Sequence, residues 1–338
     1  VREFELIGRL LAPIARAPEA RGLNDDVAVW SAPAGCEVVL TKDMAAEGVH
    51  FLADDPPEAI AAKLLRVNLS DLASKGAVPR GVLLGLGLTP AQDEPWLRRF
   101  TEGLAADLAR HDVQLWGGDT IRAGERLVLS LTAIGTAPHG AALSRAHARA
   151  GDDVYVTGTI GDAWLGLQVL TGALDLPPAH RAAVVQRYRW PEPRVALGPA
   201  LPGIARASAD VSDGLLADAR HIAAASGVRV VLEAARLPLS DAAAAWVDAD
   251  ADAGVGAADS LSRRVQLASG GDDYEIVFTA SPRDREAVLG LCQRFGIRIS
   301  RIGRVEAGEG LMLLGPDGTA LALTKLGYEH GGSRRGQD

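Results

Sequence analysis

Hydrophobic positions change period along the chain, and each change marks an element. Phe4, Ile7, Leu10 and Leu11 recur at helical spacing, which predicts a first helix within residues 1–16. The Val-rich run Glu37 to Thr41 alternates weakly and predicts a strand ending at Asp43. Residues 56–76 return to a helical period, with Pro56 and Pro57 suited to a helix start and Gly76 to its end. Val82 to Leu88 predicts a strand. Asp93 to Arg110 predicts a helix with Trp96, Phe100, Leu104 and Leu108 on one face. Val113 to Trp116 and Leu127 to Gly135 predict two more strands.

Breaks at 137–140 and 149–152 place a domain boundary in that stretch. The expectation is an N-terminal domain over 1–140, a C-terminal domain over 141–330, and a disordered tail over 331–338. Beyond the boundary, strands are predicted over 153–157, 228–232, 274–279 and 297–305, and helices over 162–170, 283–295 and from Gly214 to Ser226. The Ala- and Asp-rich stretch 241–259 predicts a variable surface helix and loop. Strands and helices mix in both halves, so the fold class is α/β (α+β) with two mixed-sheet domains. A length of 338 residues agrees with two domains of ordinary size.

Charge narrows the function. The formal net charge is −8, which argues against nucleic acid as a partner and against a polybasic membrane-binding segment. Residues 1–16 carry Arg2, Glu3, Glu5 and Arg9 and lack the apolar core of a signal peptide. The two cysteines, Cys36 and Cys292, are far apart and fit neither a disulfide framework nor a zinc knuckle. A cytoplasmic enzyme is the expectation. An acidic chain that handles phosphates needs something to cancel charge, and divalent metal ions are the usual means.

The glycine-rich P-loop, the dinucleotide fingerprint, the protein-kinase signatures and the zinc-protease motif are all absent from the sequence. Aspartate recurs instead beside glycine or at strand ends, in Asn24-Asp25-Asp26, Thr41-Lys42-Asp43, Asn68-Leu69-Ser70-Asp71, Gly117-Gly118-Asp119-Thr120, Asp210-Val211-Ser212-Asp213-Gly214 and Gly270-Gly271-Asp272-Asp273-Tyr274-Glu275. A single such motif is usually a turn or a helix cap. So many in one chain, without His or Cys clusters, look like hard oxygen ligands for several Mg²⁺ ions around phosphates.

The motifs, in order from Gly22 to His330, resemble those of the thiamine-monophosphate kinase family: GLNDD, TKD, GVHF, NLSDLA, GGDT, LSR, DVSDGL, GGDDYE and LGYEH. The wider superfamily includes aminoimidazole ribonucleotide synthetase, and the resemblance implies its two-domain fold. It also implies ATP as co-substrate, Mg²⁺ as cofactor, thiamine monophosphate as acceptor, and a homodimer built through the N-terminal domain with a substrate cleft completed by the C-terminal domain. Asp26, Asp43, Asp71, Asp119 and Asp210 would hold Mg²⁺ ions, with Thr41, Lys42 and Asp213 contributing further metal contacts. Asp43, Asp71 and Asp210 would form the catalytic core of that set. Gly118, Asp119, Arg145 and Ser212 would contact ATP, and His50, Asp272 and Tyr328 would contact thiamine monophosphate.

Three positions depart from the family pattern. Asn24 stands for Gly, which suits a turn needing positive φ. Lys42 stands for Thr, and either its ammonium replaces part of a metal's charge or it points away while its carbonyl ligates. Asp272 stands for Glu, a shorter reach toward an aminopyrimidine. Asp273 and Glu275 read as strand-end charges, Asp25 as a turn cap, and Tyr328 equally as a stacking face or a packing residue.

The mechanism expected is direct in-line phosphoryl transfer. A phosphate monoester, with a second pKa of about 6, is largely dianionic at neutral pH and needs no general base. Two other readings remain at this stage: another ATP-dependent superfamily enzyme such as an aminoimidazole ribonucleotide synthetase, and a non-catalytic thiamine-phosphate-binding protein.

Overall fold

Pro57 opens and Lys75 closes helix α2 (Pro57–Ser74), with Gly76 taking the left-handed conformation just beyond at φ 75°. Its apolar residues Leu64, Leu65, Leu69 and Leu72 are all but fully buried. They belong to one core with Phe100 and Leu104 of helix α3 (Glu94–Arg110) and Leu129 and Leu131 of strand β4 (Val128–Pro138). In this computed structural model, which describes residues 3–249 and 257–328, the helices back a four-stranded sheet. Its order is β1 (Cys36–Ala46), β4, β2 (Val78–Leu88), β3 (Gln114–Arg122), antiparallel except for the parallel β2–β3 pair.

The chain divides into two compact units. The first comprises residues 1–143 and 189–203, the second 144–188 and 204–338. The returning segment is tied into the first unit by Arg66 of α2, which donates to the Pro191 carbonyl at 3.0 Å and to Asp107 at 2.9 Å.

The second unit is built on a six-stranded sheet ordered β10 (Gly310–Leu314), β7 (Arg229–Glu233), β9 (Ile299–Glu306), β5 (Asp153–Thr157), β8 (Ile276–Ala280), β6 (Ala205–Asp210). Helix α6 (Leu215–Ser226) buries Leu215, Leu216, Ala219 and Ile222 in one core with Val154, Val156, Ala207, Ala209 and Val277 of the sheet. Helices α4 (Asp162–Leu170), α7 (Asp241–Asp248) and α8 (Ala257–Ser269) share a smaller core of Leu165, Val169, Ala243, Val247 and Leu267. Helices α5 (Pro178–Arg189) and α9 (Arg285–Phe295) complete the elements used below. Among the described residues, no helix is long and apolar enough to cross a membrane.

Several expectations need correction. The N-terminal helix is α1 (Glu3–Leu6) followed by a wide turn over Ile7–Leu11 and a tight one over Ala12–Ile14, where Pro13 removes a backbone donor. Strand β1 does not end at Asp43 but pairs with β4 as far as Ala46, so Asp43 lies inside the strand. Strand β3 runs through Gly117-Gly118 to Arg122 instead of stopping at Trp116. Helix α5 and strands β6 and β10 were not anticipated. Ala-rich β6 lacks the branched residues that announce a strand, and burial overrides its helical propensity. The expected disordered tail, and residues 250–256 of the expected surface loop, lie outside the described residues.

Candidate active site

Alternation along β1 sends Thr41 and Asp43 to one face of the first unit's sheet and Lys42 to the other. On the helix side, the Thr41 hydroxyl donates to the Asp71 carboxylate of α2. The backbone N–H of Asp43 donates to Asn68 Oδ1 at 3.1 Å, and Asn68 in turn donates to the Leu64 carbonyl at 2.9 Å. Burial, and then the nearby Asp71, push the Asp43 carboxyl up to about 6. Two carboxylates and a hydroxyl brought together form an all-oxygen donor set of the kind that holds Mg²⁺. The residues therefore fit the ion.

The opposite face of the sheet carries a second set. Cross-strand register aligns Lys42, Thr132, Leu83 and Gly117 in one row, and Met44, Ser130, Gly85 and Asp119 in the next. The Lys42 ammonium donates to Ser130 Oγ at 2.7 Å, so it points away from Asp43 and not toward it. A cavity of about 700 Å³ lies against this face, lined among others by Asp26, Lys42, Trp116, Gly118 and Asp119. Gly118 has no room for a side chain, since a Cβ would fall 1.9 Å from the Leu84 carbonyl oxygen. Asp43, Thr41 and Asp71 do not line this cavity, so the structure sorts the first unit's metal candidates into two clusters.

The loop before β1 differs from expectation. Asn24 has φ −108°, and the left-handed residues are Arg21, Gly22 and Leu23. Asp25 caps the turn as expected: its carboxylate accepts the Asp26 N–H at 2.8 Å and pairs with Arg21. After β1, His50 Nδ1 accepts the Ala46 N–H at 3.1 Å, which places the proton of a neutral ring on Nε2.

In the second unit three motif segments are laced by main-chain hydrogen bonds. Ser212 O accepts the Asp272 N–H at 2.9 Å, Val211 O accepts the Tyr274 N–H at 2.8 Å, and Asp213 O accepts the Tyr328 N–H at 2.9 Å. Asp210 ends β6 and is 4% exposed, while Gly214 (φ 126°) turns the chain into α6. Asp272 and Tyr274 hold positive φ of 69° and 50°, and the Tyr274 hydroxyl donates to Asp272 Oδ1 at 3.1 Å. Tyr328 is 46% exposed.

Sequence reasoning missed several supports. Asp273 and Glu275 do stand just before β8, but both are buried and not solvated charges. Asp273 accepts the Gly161 N–H at 2.9 and 3.0 Å, and burial raises its carboxyl well above the usual range. Glu275 accepts from the Thr157 hydroxyl at 2.6 Å and from Arg187 of α5 at 2.9 Å. Asp218, one turn into α6, accepts the N–H groups of Ser212, Asp213 and Gly214 at 3.1, 3.2 and 3.3 Å. Burial and Asp213 push the Asp218 carboxyl up to about 7, against Arg145. The His221 imidazole is lowered by burial and then by Arg145 and Arg220. An acid four residues after the helix-opening glycine was the available signal for Asp218.

Known proteins resemble this chain in sequence and in fold. Residues 24–137 match the family AIR synthase related protein, N-terminal domain, and residues 149–314 match AIR synthase related protein, C-terminal domain. The thiamine-monophosphate kinase of Caulobacter vibrioides is 44% identical over 330 residues, covering 97% of this chain and 91% of that protein. The crystal structure of thiamine-monophosphate kinase from Stenotrophomonas maltophilia K279a is 38% identical, covers 95% of this chain and 98% of its own, and superposes with a TM-score of 0.80. A further structure, AaThiL complexed with AMPPCP and TMP, is 29% identical with a TM-score of 0.75, covering 97% of this chain and 99% of its own. The chain belongs to the thiamine-monophosphate kinase family.

Proposed function

We propose that this chain transfers the γ-phosphate of ATP to thiamine monophosphate, forming thiamine diphosphate. The observation that carries this reading is likeness to thiamine-monophosphate kinases over nearly the whole of both chains. A solved relative complexed with AMPPCP and TMP supports the donor and acceptor classes.

The residues fit direct transfer. Mg²⁺, when bound, would supply charge neutralisation and orientation for two anionic substrates. Asp43 and Asp71 would hold it through facing carboxylates, with Thr41 orienting Asp71. Asp26, Asp119 and Asp210 would hold further ions, with Lys42 contributing at most its backbone carbonyl, since its ammonium is turned to Ser130. Gly118 and Asp119 on β3, with Ser212 and Arg145, would contact ATP. Ser212 stands just before α6, where backbone donors meet phosphate favourably.

His50, Asp272 and Tyr328 would contact the acceptor. Tyr328 would present a ring to a cationic heterocycle, and Asp272, left-handed in its backbone, accepts a hydrogen bond from the Tyr274 hydroxyl that would orient its carboxylate. The acceptor phosphate is its own nucleophile, so no side chain needs to remove a proton.

A homodimer is supported by the exposed apolar side chains Val38, Leu40, Met44 and Leu83 on one face of the four-stranded sheet. A coupled assay with ATP, Mg²⁺ and thiamine monophosphate tests the reading. ADP and thiamine diphosphate should form in equal amounts. ADP release with formylglycinamidine ribonucleotide but not thiamine monophosphate, or acceptor binding without ADP, would replace it.

A further inference from the structure

The second unit holds another donor cluster, and its chemistry differs from that of Asp43 and Asp71. One carboxylate oxygen each of Asp213 and Asp218 and one ring nitrogen of His221 lie within 4.8 Å of one another. Helix geometry explains the grouping. Asp218 and His221 are three residues apart on α6 and share a face, and Asp213 precedes the helix at its first turn. Asp218 is fully buried, while Asp213 and His221 are half-buried.

Asp218 points to a missing ligand. Its Oδ2 is engaged by the N–H groups of residues 212 to 214. Its Oδ1 is shielded from solvent and has no hydrogen-bond partner. A buried acceptor left in that state costs about 1–3 kcal/mol, more when charged, so the arrangement asks for a cation or a proton on that carboxylate. Arg145 and Arg220 are the cations that face the group, and neither donates a hydrogen bond to Oδ1.

We propose that Asp213, Asp218 and His221 form a binding site for a divalent transition ion of the Mn²⁺ or Zn²⁺ class, separate from the all-oxygen Mg²⁺ set of Asp43 and Asp71. An imidazole nitrogen suits such ions, whereas Mg²⁺ takes oxygen ligands and keeps much of its water. With bonds of about 2.1 Å, donors around a transition ion stand about 3–3.5 Å apart, so the triad needs to close by about 1.8 Å at most. Two carboxylates and a neutral imidazole balance a divalent ion. Arg145 and Arg220 then leave net positive charge around the cluster, where an anion is favoured. The ion would also fix the 212–214 turn through Asp218, whose other oxygen accepts its three N–H groups.

The test uses the untagged full-length chain with Mn²⁺ as the probe, millimolar Mg²⁺ as competitor, and no nucleotide or acceptor. Its readout is therefore independent of the kinase reading. Pulsed electron paramagnetic resonance detects ¹⁴N coupling from a directly bound imidazole, a signal that carboxylate-only sites do not give. Wild type should show bound Mn²⁺ with ¹⁴N coupling. The coupling should vanish in His221→Gln, and Mn²⁺ affinity should fall at least about tenfold in both His221→Gln and Asp218→Asn. Asp43→Asn should keep the coupling. Absence of ¹⁴N coupling in wild type, or coupling unchanged in His221→Gln, overturns the site. Should His221→Gln fail to fold, unchanged Mn²⁺ affinity in the near-isosteric Asp218→Asn overturns it equally.

Discussion

The carbonyl oxygen of Asp213 accepts the backbone N–H of Tyr328 at 2.9 Å. This bond ties the end of the described chain to the turn that opens α6, and a side-chain substitution at 328 leaves it intact. Tyr328→Ala should therefore remove a ring without moving the turn. The expected result is a rise of about tenfold in KM for thiamine monophosphate, consistent with the loss of about 1–2 kcal/mol of stacking, with KM for ATP unchanged. Steady-state kinetics with each substrate varied separately would decide it. Equal effects on both KM values would remove Tyr328 from the acceptor site.

Much of this turn was legible in the sequence, and what was not has a physical reason. Asp210, Ser212 and Asp213 stand in a short motif at a strand–helix junction, where glycine and acid announce a turn. The bonds from 212 and 213 to 272 and 328 join residues far apart in the chain, and no local pattern encodes them. Strand β6 was hidden because Ala205, Ala207 and Ala209, although they alternate as a strand's apolar positions do, are small residues that favour helix and carry little of a strand's signal. Glu275 looked like a surface charge because its partner Arg187 lies 88 positions away. In β1, the alternation was visible, but its consequence, Lys42 facing away from Asp43, depends on the strand continuing to Ala46.

The Asp43–Asp71 pair predicts opposite effects on stability and on catalysis. The Asp43 carboxyl is raised to about 6 in the folded chain, from an ordinary value of 3.8, so the native state binds its proton more tightly than the unfolded state does. Metal-free protein should thus lose stability as pH rises from about 4 to about 6. Asp43→Asn should be more stable than wild type above that window, by on the order of 2 kcal/mol, and no different below it. Denaturation in chelator across pH 4–8 measures this, and Mg²⁺ should stabilise wild type more than the variant. In the same proteins, kcat should fall by at least about a thousandfold in each of Asp43→Asn, Asp71→Asn and Asp210→Asn. Wild-type-like kcat in all three at ordinary Mg²⁺ would sink the metal mechanism.

Arg187 is the cation that keeps Glu275 paired, and it also donates to the Asp273 carbonyl at 3.3 Å. Glu275 has no exposure, so removing Arg187 takes away a cation that compensates its buried charge and leaves weaker compensation such as the Thr157 hydroxyl. Arg187→Met should destabilise the chain by about 3 kcal/mol. Arg187→Met combined with Glu275→Gln should recover part of that loss, because the charge is then gone. Urea denaturation of the two single variants and the double variant forms the cycle that measures it.

The exposed face of β1 sets the last expectation. Val38, Leu40 and Met44 are 46%, 65% and 57% exposed on an edge strand, and Leu83 of β2 adds to the same face at 38%. Long apolar edge strands left open are hazards that proteins ordinarily cover or blunt with charge. A second copy of this chain would cover the face, and an aspartate at its most exposed position would then be buried without a partner. Leu40→Asp should shift the chain from dimer to monomer in light scattering at micromolar concentration, while its circular dichroism stays that of the wild type. The Asp43 and Asp71 side chains lie on the other face of the sheet, whereas the cavity with Asp26 and Asp119 opens on this one, so a monomer whose loss of Mg²⁺ affinity is smaller than its loss of activity would show that the second copy matters to turnover. A wild type that is monomeric at the same concentration would refute the dimer outright.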